Sequence, residues 1–306
     1  MVKKQISRKE FVTKALAGIA GIGMVSRNIS GLISKGQEFR SLGNTGIMVS
    51  PIAFGAPRTN DESLIRYALE KGINFIDTGR AYGNGNNEIL VGKAIAGIRT
   101  KVIIQSKIRL EENELPSKGK GKKGSAEIKD ALSSKLEASL KALNTDFIDI
   151  LLYHEALDEN LLFHHETMKF FSDMKTTGVI KAHGFSTHND QMHLPERNNS
   201  ELFYNVVMVP FNHKGSFVHS ITGSYFEWDQ NKLISILTEA GRKGIGVIAM
   251  KTCSGGKYSP AIGIEPSYKE AVLWVLHNKF ISSASVAMVN FEQIDEHTSW
   301  IKDQIF

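Results

Sequence analysis

An alternation of short apolar segments with longer amphipathic segments restricts the fold of this chain more than any other feature of its sequence. The alternation begins near Phe39 and continues to the end of the chain. Short strands that alternate with helical stretches favour βαβ units and a parallel sheet. The pattern contains eight strand–helix units without an internal linker, and α/β barrels commonly form one domain of roughly 200 to 250 residues. We therefore predict an α/β fold, a single (β/α)8 TIM barrel formed by residues 35–306.

The predicted boundaries follow from apolar runs and from the period of the apolar residues. The predicted strands are residues 52–55, 73–78, 101–107, 147–153, 181–186, 206–211, 246–251 and 284–289. The predicted helices are residues 62–71, 126–143, 166–177, 229–243, 266–278 and 291–305, and a further amphipathic run begins at Glu88. Residues 110–124, where lysines stand among glycines, are predicted to be a solvated loop.

The excess of positive charge lies at the N-terminus. The net charge is +5, but residues 1–30 hold six basic residues and one acidic residue, so the rest of the chain is balanced. A nucleic-acid-binding protein needs a basic face on its folded body, and we therefore expect no nucleic-acid partner. Cys253 is the only cysteine, which excludes an intrachain disulfide, a thiolate zinc site and an iron–sulfur cluster.

Residues 1–34 resemble an export signal. The basic residues 1–10 precede an apolar run of small residues, 15–25, that is too short to span a bilayer as a stable helix. Residues 7–14 (SRKEFVTK) resemble the twin-arginine motif S-R-R-x-F-L-K, with lysine in place of the second arginine. This resemblance implies a signal-like helix, contact of residues 1–25 with export machinery, and a periplasmic location. The alternative is an ordinary N-terminal helix or an uncleaved anchor, on a protein that is cytoplasmic or membrane-anchored.

The most specific motif is GINFIDTGRAYGNGNNEILVG, residues 72–92. It resembles the signature of the aldo-keto reductases, G-x-N-x-[IL]-D-T-[AS]-x-x-Y-G-x-x-x-x-E. The matching residues are Gly72, Asn74, Ile76, Asp77, Thr78, Tyr82, Gly83 and Glu88, whereas Gly79 stands where the family has alanine or serine. Without the resemblance, Asp77 would more simply cap the next helix and Tyr82 pack on it. The resemblance covers about residues 39–298, and it implies that residues 39–50 form a β-hairpin at the bottom of the barrel.

Polar residues stand at or just after the predicted C-terminal ends of the second, third and fourth strands, where barrel enzymes place catalytic groups. They are Asp77, Tyr82, Lys107 and His154, and they match the Asp–Tyr–Lys–His tetrad of the aldo-keto reductases. A lysine ammonium beside Tyr82 favours the phenolate, while Asp77 compensates the lysine. The resemblance implies that Tyr82 protonates a carbonyl oxygen and acts as a base in reverse, and that His154 donates a hydrogen bond to that oxygen.

Hydride transfer needs a cofactor, because no side chain supplies a hydride. The resemblance implies NADP or NAD, with Ser186 and Thr187 on the nicotinamide carboxamide. Thr187 stands where the family has asparagine, and His188 is a candidate substitute. The other cofactor-binding residues that it implies are Met208, Phe211, Asn212, Lys251, Gly255, Gly256, Asn290, Gln293 and Glu296.

Some of these residues have an expected partner. Phe211 would stack on the nicotinamide ring, and the glycine-rich loop after Lys251 would cradle the pyrophosphate. Gln293 and Glu296 would contact the adenosine. No arginine or lysine lies between Lys279 and Lys302, where the family commonly binds the 2′-phosphate of NADP, so NAD stays open as the alternative.

We therefore predict an enzyme, an NAD(P)H-dependent reductase of a small-molecule aldehyde or ketone. The alternative is a cofactor-sensing or partner-binding barrel with little turnover. A metal-dependent barrel hydrolase would need a His-x-His motif after the first strand, and residues 53–58 hold no histidine. No metal site is predicted.

Overall fold

The computed structural model describes residues 39–114, 121–219, 222–253 and 267–302. The predicted signal-like segment, residues 1–34, lies outside these ranges, as do Gly255 and Gly256. The strands are β1 (Arg40–Ser41), β2 (Met48–Val49), β3 (Ile52–Gly55), β4 (Phe75–Asp77), β5 (Ile103–Ile108), β6 (Ile148–Tyr153), β7 (Ile180–Ser186), β8 (Val206–Pro210), β9 (Ser216–Val218), β10 (Tyr225–Glu227), β11 (Gly246–Met250) and β12 (Ile281–Ala287). The helices are α1 (Glu62–Glu70), α2 (Asn86–Ala94), α3 (Gly121–Leu143), α4 (Glu159–Leu162), α5 (His165–Thr176), α6 (His193–Glu201), α7 (Gln230–Arg242), α8 (Tyr268–Leu276) and α9 (Phe291–Lys302).

The predicted (β/α)8 barrel is confirmed. Eight strands form a closed sheet in the order β11-β12-β3-β4-β5-β6-β7-β8, and every pair around the barrel is parallel. The carboxyl ends of all eight strands therefore meet at one rim, where barrel enzymes place their sites.

Helix starts follow local capping chemistry. The Asp61 carboxylate accepts the backbone N–H of Ser63 at 2.8 Å and so begins α1. Ser267 and Glu270 form a reciprocal capping box at the start of α8. Each of these helices then turns an apolar face towards the barrel, for example Leu64, Ile65 and Ala68 of α1. Among the described residues, every helix is too short or too polar to cross a bilayer.

The predicted N-terminal hairpin closes the bottom of the barrel. Strands β1 and β2 pair antiparallel, and Leu42, Ile47 and Val49 belong to the same apolar cluster as interior residues of the barrel. The backbone N–H of Asn44 donates a 2.7 Å hydrogen bond to the carbonyl oxygen of Gly244. The hairpin is thus packed and hydrogen-bonded to the end opposite the catalytic rim.

The structure differs from the sequence prediction in several places, and helix α4 is one that was not predicted. Strand β12 begins at residue 281 rather than 284. The prediction left out Ser283 because it is polar, but its side chain is buried and donates to the carbonyl oxygen of Ser50 at 2.9 Å. Helix α3 begins at residue 121, inside the segment predicted to be a loop. Helix α6, which contains Pro195 and few apolar residues, was not predicted. The β9–β10 hairpin after β8 was not predicted either.

Candidate active site

Three adjacent strands bring the four predicted catalytic residues together. Asp77 is the last residue of β4, Lys107 lies near the end of β5, and His154 directly follows β6. Since β4, β5 and β6 are neighbours, the three side chains share one sector of the rim. Tyr82 reaches the same sector from a short 3₁₀ turn after β4, Tyr82–Gly85.

Lys107 is the centre of this group and is 1% exposed. Its ammonium forms an ion pair with Asp77, donates to the carbonyl oxygen of Thr78 at 2.8 Å and lies 3.3 Å from the Tyr82 hydroxyl. The same hydroxyl lies 3.5 Å from Nε2 of His154. Asp77, Lys107, Tyr82 and His154 therefore form one connected chain of polar contacts.

Two residues that the sequence analysis missed hold Asp77 in place. Gln105 donates from Nε2 to Oδ1 of Asp77 at 2.7 Å, and Ser285 donates its hydroxyl to Oδ2 at 2.8 Å. Both carboxylate oxygens are therefore engaged. A signal was available for Gln105, because it stands two residues before Lys107 on β5 and so shares the inward face of that strand. Ser285 had no such signal.

The loop that carries Tyr82 depends on an ion pair below it. Arg80 pairs with the fully buried Glu88 at 2.7 Å, and Glu88 also accepts the Ser106 hydroxyl at 2.6 Å. Gly85 lies in the left-handed region with a φ of +87°, and a Cβ there would meet the Arg80 guanidinium at 0.9 Å. Glu88, the last residue of the motif, thus fixes Arg80 next to the turn that carries Tyr82.

Burial and charge set the protonation states of the tetrad. Burial raises the pKa of Tyr82, and Lys107 opposes that rise. Burial alone would lower the pKa of Lys107, but Asp77 and Tyr82 raise it above its usual value. Burial, Lys107, Arg109 and His188 all lower the pKa of His154, which comes to lie well below 6.5. At neutral pH the group therefore holds a protonated phenol, an ammonium and a neutral imidazole.

A neutral histidine stands beside the predicted nicotinamide site. Ser186 and Thr187 are buried at the end of β7. Burial, followed by Lys251, His219 and Lys107, lowers the pKa of His188 to about 3. Nδ1 of His188 is buried without a hydrogen-bond partner among the described residues. A ring nitrogen of a neutral imidazole that has no partner can form a hydrogen bond with a carboxamide, because a carboxamide can both donate and accept.

Phe211 does not lie at the mouth of the barrel. Its ring is fully buried and stacks on Trp274 of α8, with the ring centroids 5.2 Å apart and the planes at 30°. A second ring, Phe280, packs on its edge at 5.6 Å. The predicted stacking of Phe211 on a nicotinamide ring does not agree with this position between barrel and helix.

The side chains of Asn212 and Met208 are already engaged within the chain. The Asn212 amide donates to the carbonyl oxygens of Ser216 at 2.8 Å and Lys251 at 3.0 Å, and it accepts from the Lys214 backbone at 3.0 Å. It thereby ties the β9–β10 hairpin to the end of β11. The Met208 sulfur lies inside the barrel, 3.3 Å from Nε2 of Gln105.

The residues predicted for the rest of the cofactor lie around the ends of β11 and β12. Asn290 and Gln293 cap α9, since Asn290 accepts the Gln293 N–H at 2.8 Å and Gln293 accepts the Val289 N–H at 2.9 Å. Glu296 is exposed on the same helix. Lys251 has a φ of +58°, and burial followed by Arg58 lowers its pKa. Lys251 and Arg58 therefore lie close enough to each other for their positive charges to interact at this part of the rim.

A cavity of about 200 Å³ opens beside the tetrad. Lys107 and His154 form part of its wall, together with Arg80, Arg109, Lys135 and Glu111. Four of these side chains are cationic and one is acidic. Within the described parts of the chain, no group of three or more His, Cys, Asp or Glu side chains is arranged to hold a metal ion.

Comparisons with known proteins agree with the barrel fold. The model of the Aldo/keto reductase family matches residues 53–287. L-galactose dehydrogenase of Arabidopsis thaliana is 25% identical over 87% of this chain and 88% of its own length. The uncharacterized oxidoreductase YqkF of Bacillus subtilis is 31% identical over 48% of each chain. An aldo-keto reductase from Klebsiella pneumoniae, solved in complex with NADPH, superposes with a TM-score of 0.65 at 19% identity, covering 87% of this chain and 90% of its own. For several of the curated relatives, the match spans only about half of the relative's length.

Proposed function

We propose that this chain, which belongs to the aldo/keto reductase family, is an oxidoreductase that uses NADPH or NADH to reduce an aldehyde or ketone to an alcohol, reversibly. The observation that carries the proposal is the position of the Lys107 ammonium, paired with Asp77 and 3.3 Å from the Tyr82 hydroxyl. A phenol beside a fixed positive charge at this rim supports the proposal, because it can donate a proton and leave a stabilised phenolate.

Tyr82 acts as the proton donor in the reductive direction. Its phenol is protonated at neutral pH, since burial raises its pKa. When the carbonyl oxygen gains negative charge, the phenol donates its proton to that oxygen, and the ammonium of Lys107 stabilises the phenolate that is left. In the reverse direction the same phenolate removes the proton of an alcohol.

His154 orients the substrate and does not act as an acid. Its pKa lies well below 6.5, so the ring is neutral near pH 7. The ring nitrogen Nε2 lies 3.5 Å from the Tyr82 hydroxyl, so a carbonyl oxygen that accepts from Tyr82 also lies within reach of Nε2. A neutral Nε2–H can donate a second hydrogen bond to that oxygen.

The reduced nicotinamide supplies the hydride when it is bound. Ser186, Thr187 and His188 would hold its carboxamide, because they lie together at the end of β7 and Nδ1 of His188 is buried with no partner in the described part of the chain. Lys251 and Arg58 are the candidate cations for the phosphates, and Asn290, Gln293 and Glu296 are the candidates for the adenosine. The NADPH complex of the aldo-keto reductase from Klebsiella pneumoniae supports NADPH as the first cofactor to test.

The test compares the full chain with Tyr82→Phe. Binding of NADPH and NADH is followed by fluorescence quenching, and turnover is measured with small aldehydes such as butanal. We expect Tyr82→Phe to bind the cofactor like the parent and to lose roughly 10² to 10⁴-fold in kcat, the range attributed to general acid catalysis. A matched control is Tyr225→Phe, which removes a hydroxyl from a 62%-exposed tyrosine of the β9–β10 hairpin.

The outcomes separate the two candidate functions. Turnover that is lost in Tyr82→Phe and kept in Tyr225→Phe supports the reductase. Cofactor binding without turnover of any aldehyde favours a cofactor-sensing barrel. Full activity in Tyr82→Phe would refute the mechanism.

A further inference from the structure

The cavity beside the tetrad has an asymmetric distribution of charge. Arg80, Lys107, Arg109 and Lys135 face it, whereas Glu111 is the only acidic side chain among its described lining residues. The acids that pair with three of these cations are not in the wall. Asp77 pairs with Lys107, Glu88 with Arg80, and Glu114 with Lys135. Cationic groups therefore predominate in the wall, and the acids that pair with three of them are not part of it.

Arg109 has two acidic partners, and both of them are partly exposed. Its side chain pairs with Glu155 and, at 3.4 Å, with Glu111, which are 33% and 51% exposed. Ion pairs exposed to this degree contribute little and exchange readily. Nε contacts Glu111 and Nη1 contacts Glu155. A guanidinium can bind a carboxylate or phosphate through two parallel N–H donors.

The charge of Arg109 acts on the catalytic groups themselves. It lowers the pKa of both Tyr82 and His154, after the larger effects of burial and Lys107. Near neutral pH the positive charges that act on His154 are those of Lys107 and Arg109, and both of them disfavour a further positive charge. A negative group bound beside His154 is therefore favoured by the same field.

Glu155 is the competitor for this site. It follows His154 directly and has a φ of +51°, a left-handed conformation that is uncommon for a residue other than glycine. Its carboxylate lies between Arg109 and His188, whose Nε2 is 4.0 Å away. An incoming anion would take over the contact that the Glu155 carboxylate now makes with Arg109.

We propose that the substrate carries an anionic group, a carboxylate or a phosphate, and that Arg109 is the residue that recognises it. This inference rests on the proposed reductase function and specifies its substrate class. A cavity of about 200 Å³ limits the ligand to a small molecule. Arg109 is a specificity-determining residue in this scheme, and the proton transfer stays with Tyr82.

The experiment measures kcat/KM for pairs of aldehydes that differ in charge and little in length. The carboxylate pair is 4-oxobutanoate and butanal, and the phosphate pair is glyceraldehyde 3-phosphate and glyceraldehyde. The readout is the ratio of the anionic to the neutral substrate within each pair. Arg109 also affects the pKa of Tyr82, but that effect changes both members of a pair and cancels in the ratio.

Three variants of the full chain define the result. In Arg109→Met we expect the ratio to fall by roughly tenfold or more, the loss associated with a charge-assisted hydrogen bond. In Glu155→Gln the competing carboxylate is neutralised, and the ratio should rise. The control is Arg242→Met, which breaks an exposed arginine–glutamate pair on α7 and should leave the ratio unchanged.

Each outcome decides one point. A parent ratio above one for either pair, with opposite changes in Arg109→Met and Glu155→Gln, supports the proposal, and the pair that shows it identifies carboxylate or phosphate. Efficient reduction of the neutral aldehydes with ratios that Arg109→Met does not change overturns it, while the reductase function stands. Reduction of neither kind of aldehyde overturns both.

Discussion

Ser285 donates a hydrogen bond of 2.8 Å from its hydroxyl to Oδ2 of Asp77. The bond joins the last barrel strand, β12, to the end of β4, with β3 between them. The other oxygen of Asp77 accepts from Gln105 and pairs with Lys107. Ser285 and Gln105 therefore fix the rotation of the carboxylate that positions the lysine.

Ser285→Ala is expected to lower kcat for carbonyl reduction by about tenfold, because a hydrogen bond to a charged group contributes about 1.5 to 3 kcal/mol. Ser283→Ala is the matched control on the same strand, since it removes a buried 2.9 Å hydrogen bond that does not involve Asp77. The measurement is kcat in both variants, together with the pH profile of alcohol oxidation. Equal losses in the two variants would show that the Ser285 hydroxyl is only structural.

Lys107→Met is expected to affect stability and activity separately. It leaves Asp77 buried without its ammonium partner, which costs about 3 to 5 kcal/mol of unfolding free energy. Adding Asp77→Asn removes that unpaired charge, so the double variant should regain most of the stability. Neither variant should regain activity, because the cation beside Tyr82 is missing. The measurements are urea unfolding and kcat, and recovery of activity in the double variant would contradict the role of Lys107.

The pH profile of the reduction reports the protonation states of the tetrad. The pKa of Tyr82 is raised, that of Lys107 is raised, and that of His154 is lowered. Between about pH 6 and pH 9 none of the three changes state, so kcat should be flat there. Above that range the phenol loses the proton it has to donate, and kcat should fall. A decline centred near 6.5 would instead indicate that His154 titrates in the working enzyme.

The fold followed from the sequence because its strands are short, apolar and evenly separated by helical patterns. One exception is a segment in which a polar residue is buried. Ser283 looks like a loop residue in the sequence, yet its hydroxyl donates to the carbonyl oxygen of Ser50. A sequence pattern shows that a residue is polar but does not show its hydrogen-bond partner. A buried polar residue near a strand end is therefore left out of the predicted strand.

The candidate site was predictable only where a residue stands in a local motif. Asp77, Tyr82, Lys107 and His154 lie where the motif and the strand ends put them, in one connected group. Phe211 shows the limit of the method. It follows a strand directly, but its ring packs outwards on Trp274, because it continues the outward-facing set of Val207 and Val209. Arg109 and Glu155 meet only through the fold, so their pairing had no signal in the sequence.

His183 makes the stability of the barrel depend on pH. Its ring packs among Phe171, Phe203 and Tyr204, and burial followed by Lys175 lowers its pKa from 6.5 to about 3. The unfolded chain therefore binds a proton that the folded chain does not, and the contribution of His183 is lost as the pH falls below 6.5. Between pH 7.5 and 5.0 the loss amounts to about 2 kcal/mol.

The measurement is urea unfolding of the parent and of His183→Phe at these two pH values. Other histidines add to the pH dependence of both proteins, so the expected result is a difference between them. The drop in unfolding free energy should be smaller by about 2 kcal/mol in His183→Phe. His165→Gln, at a histidine whose side chain is 70% exposed, should leave the drop as it is in the parent. An equal drop in all three proteins would mean that His183 is protonated in the folded state.

Two glycines of the N-terminal hairpin test whether it is docked on the barrel. Gly43 and Gly46 both lie in the left-handed region, with φ of +53° and +75°. A Cβ on Gly43 would lie 2.3 Å from the carbonyl oxygen of Gly244, whereas a Cβ on Gly46 would meet no atom within 4 Å. Both alanine variants bear the backbone strain of about 1 to 2 kcal/mol, but only Gly43→Ala also pushes against the backbone of the chain before β11.

We expect Gly43→Ala to lose roughly 1 to 3 kcal/mol more unfolding free energy than Gly46→Ala, the usual cost of overpacking. Equal losses in urea unfolding would mean that the hairpin stands away from Gly244 in solution, and the bottom of the barrel would then be open.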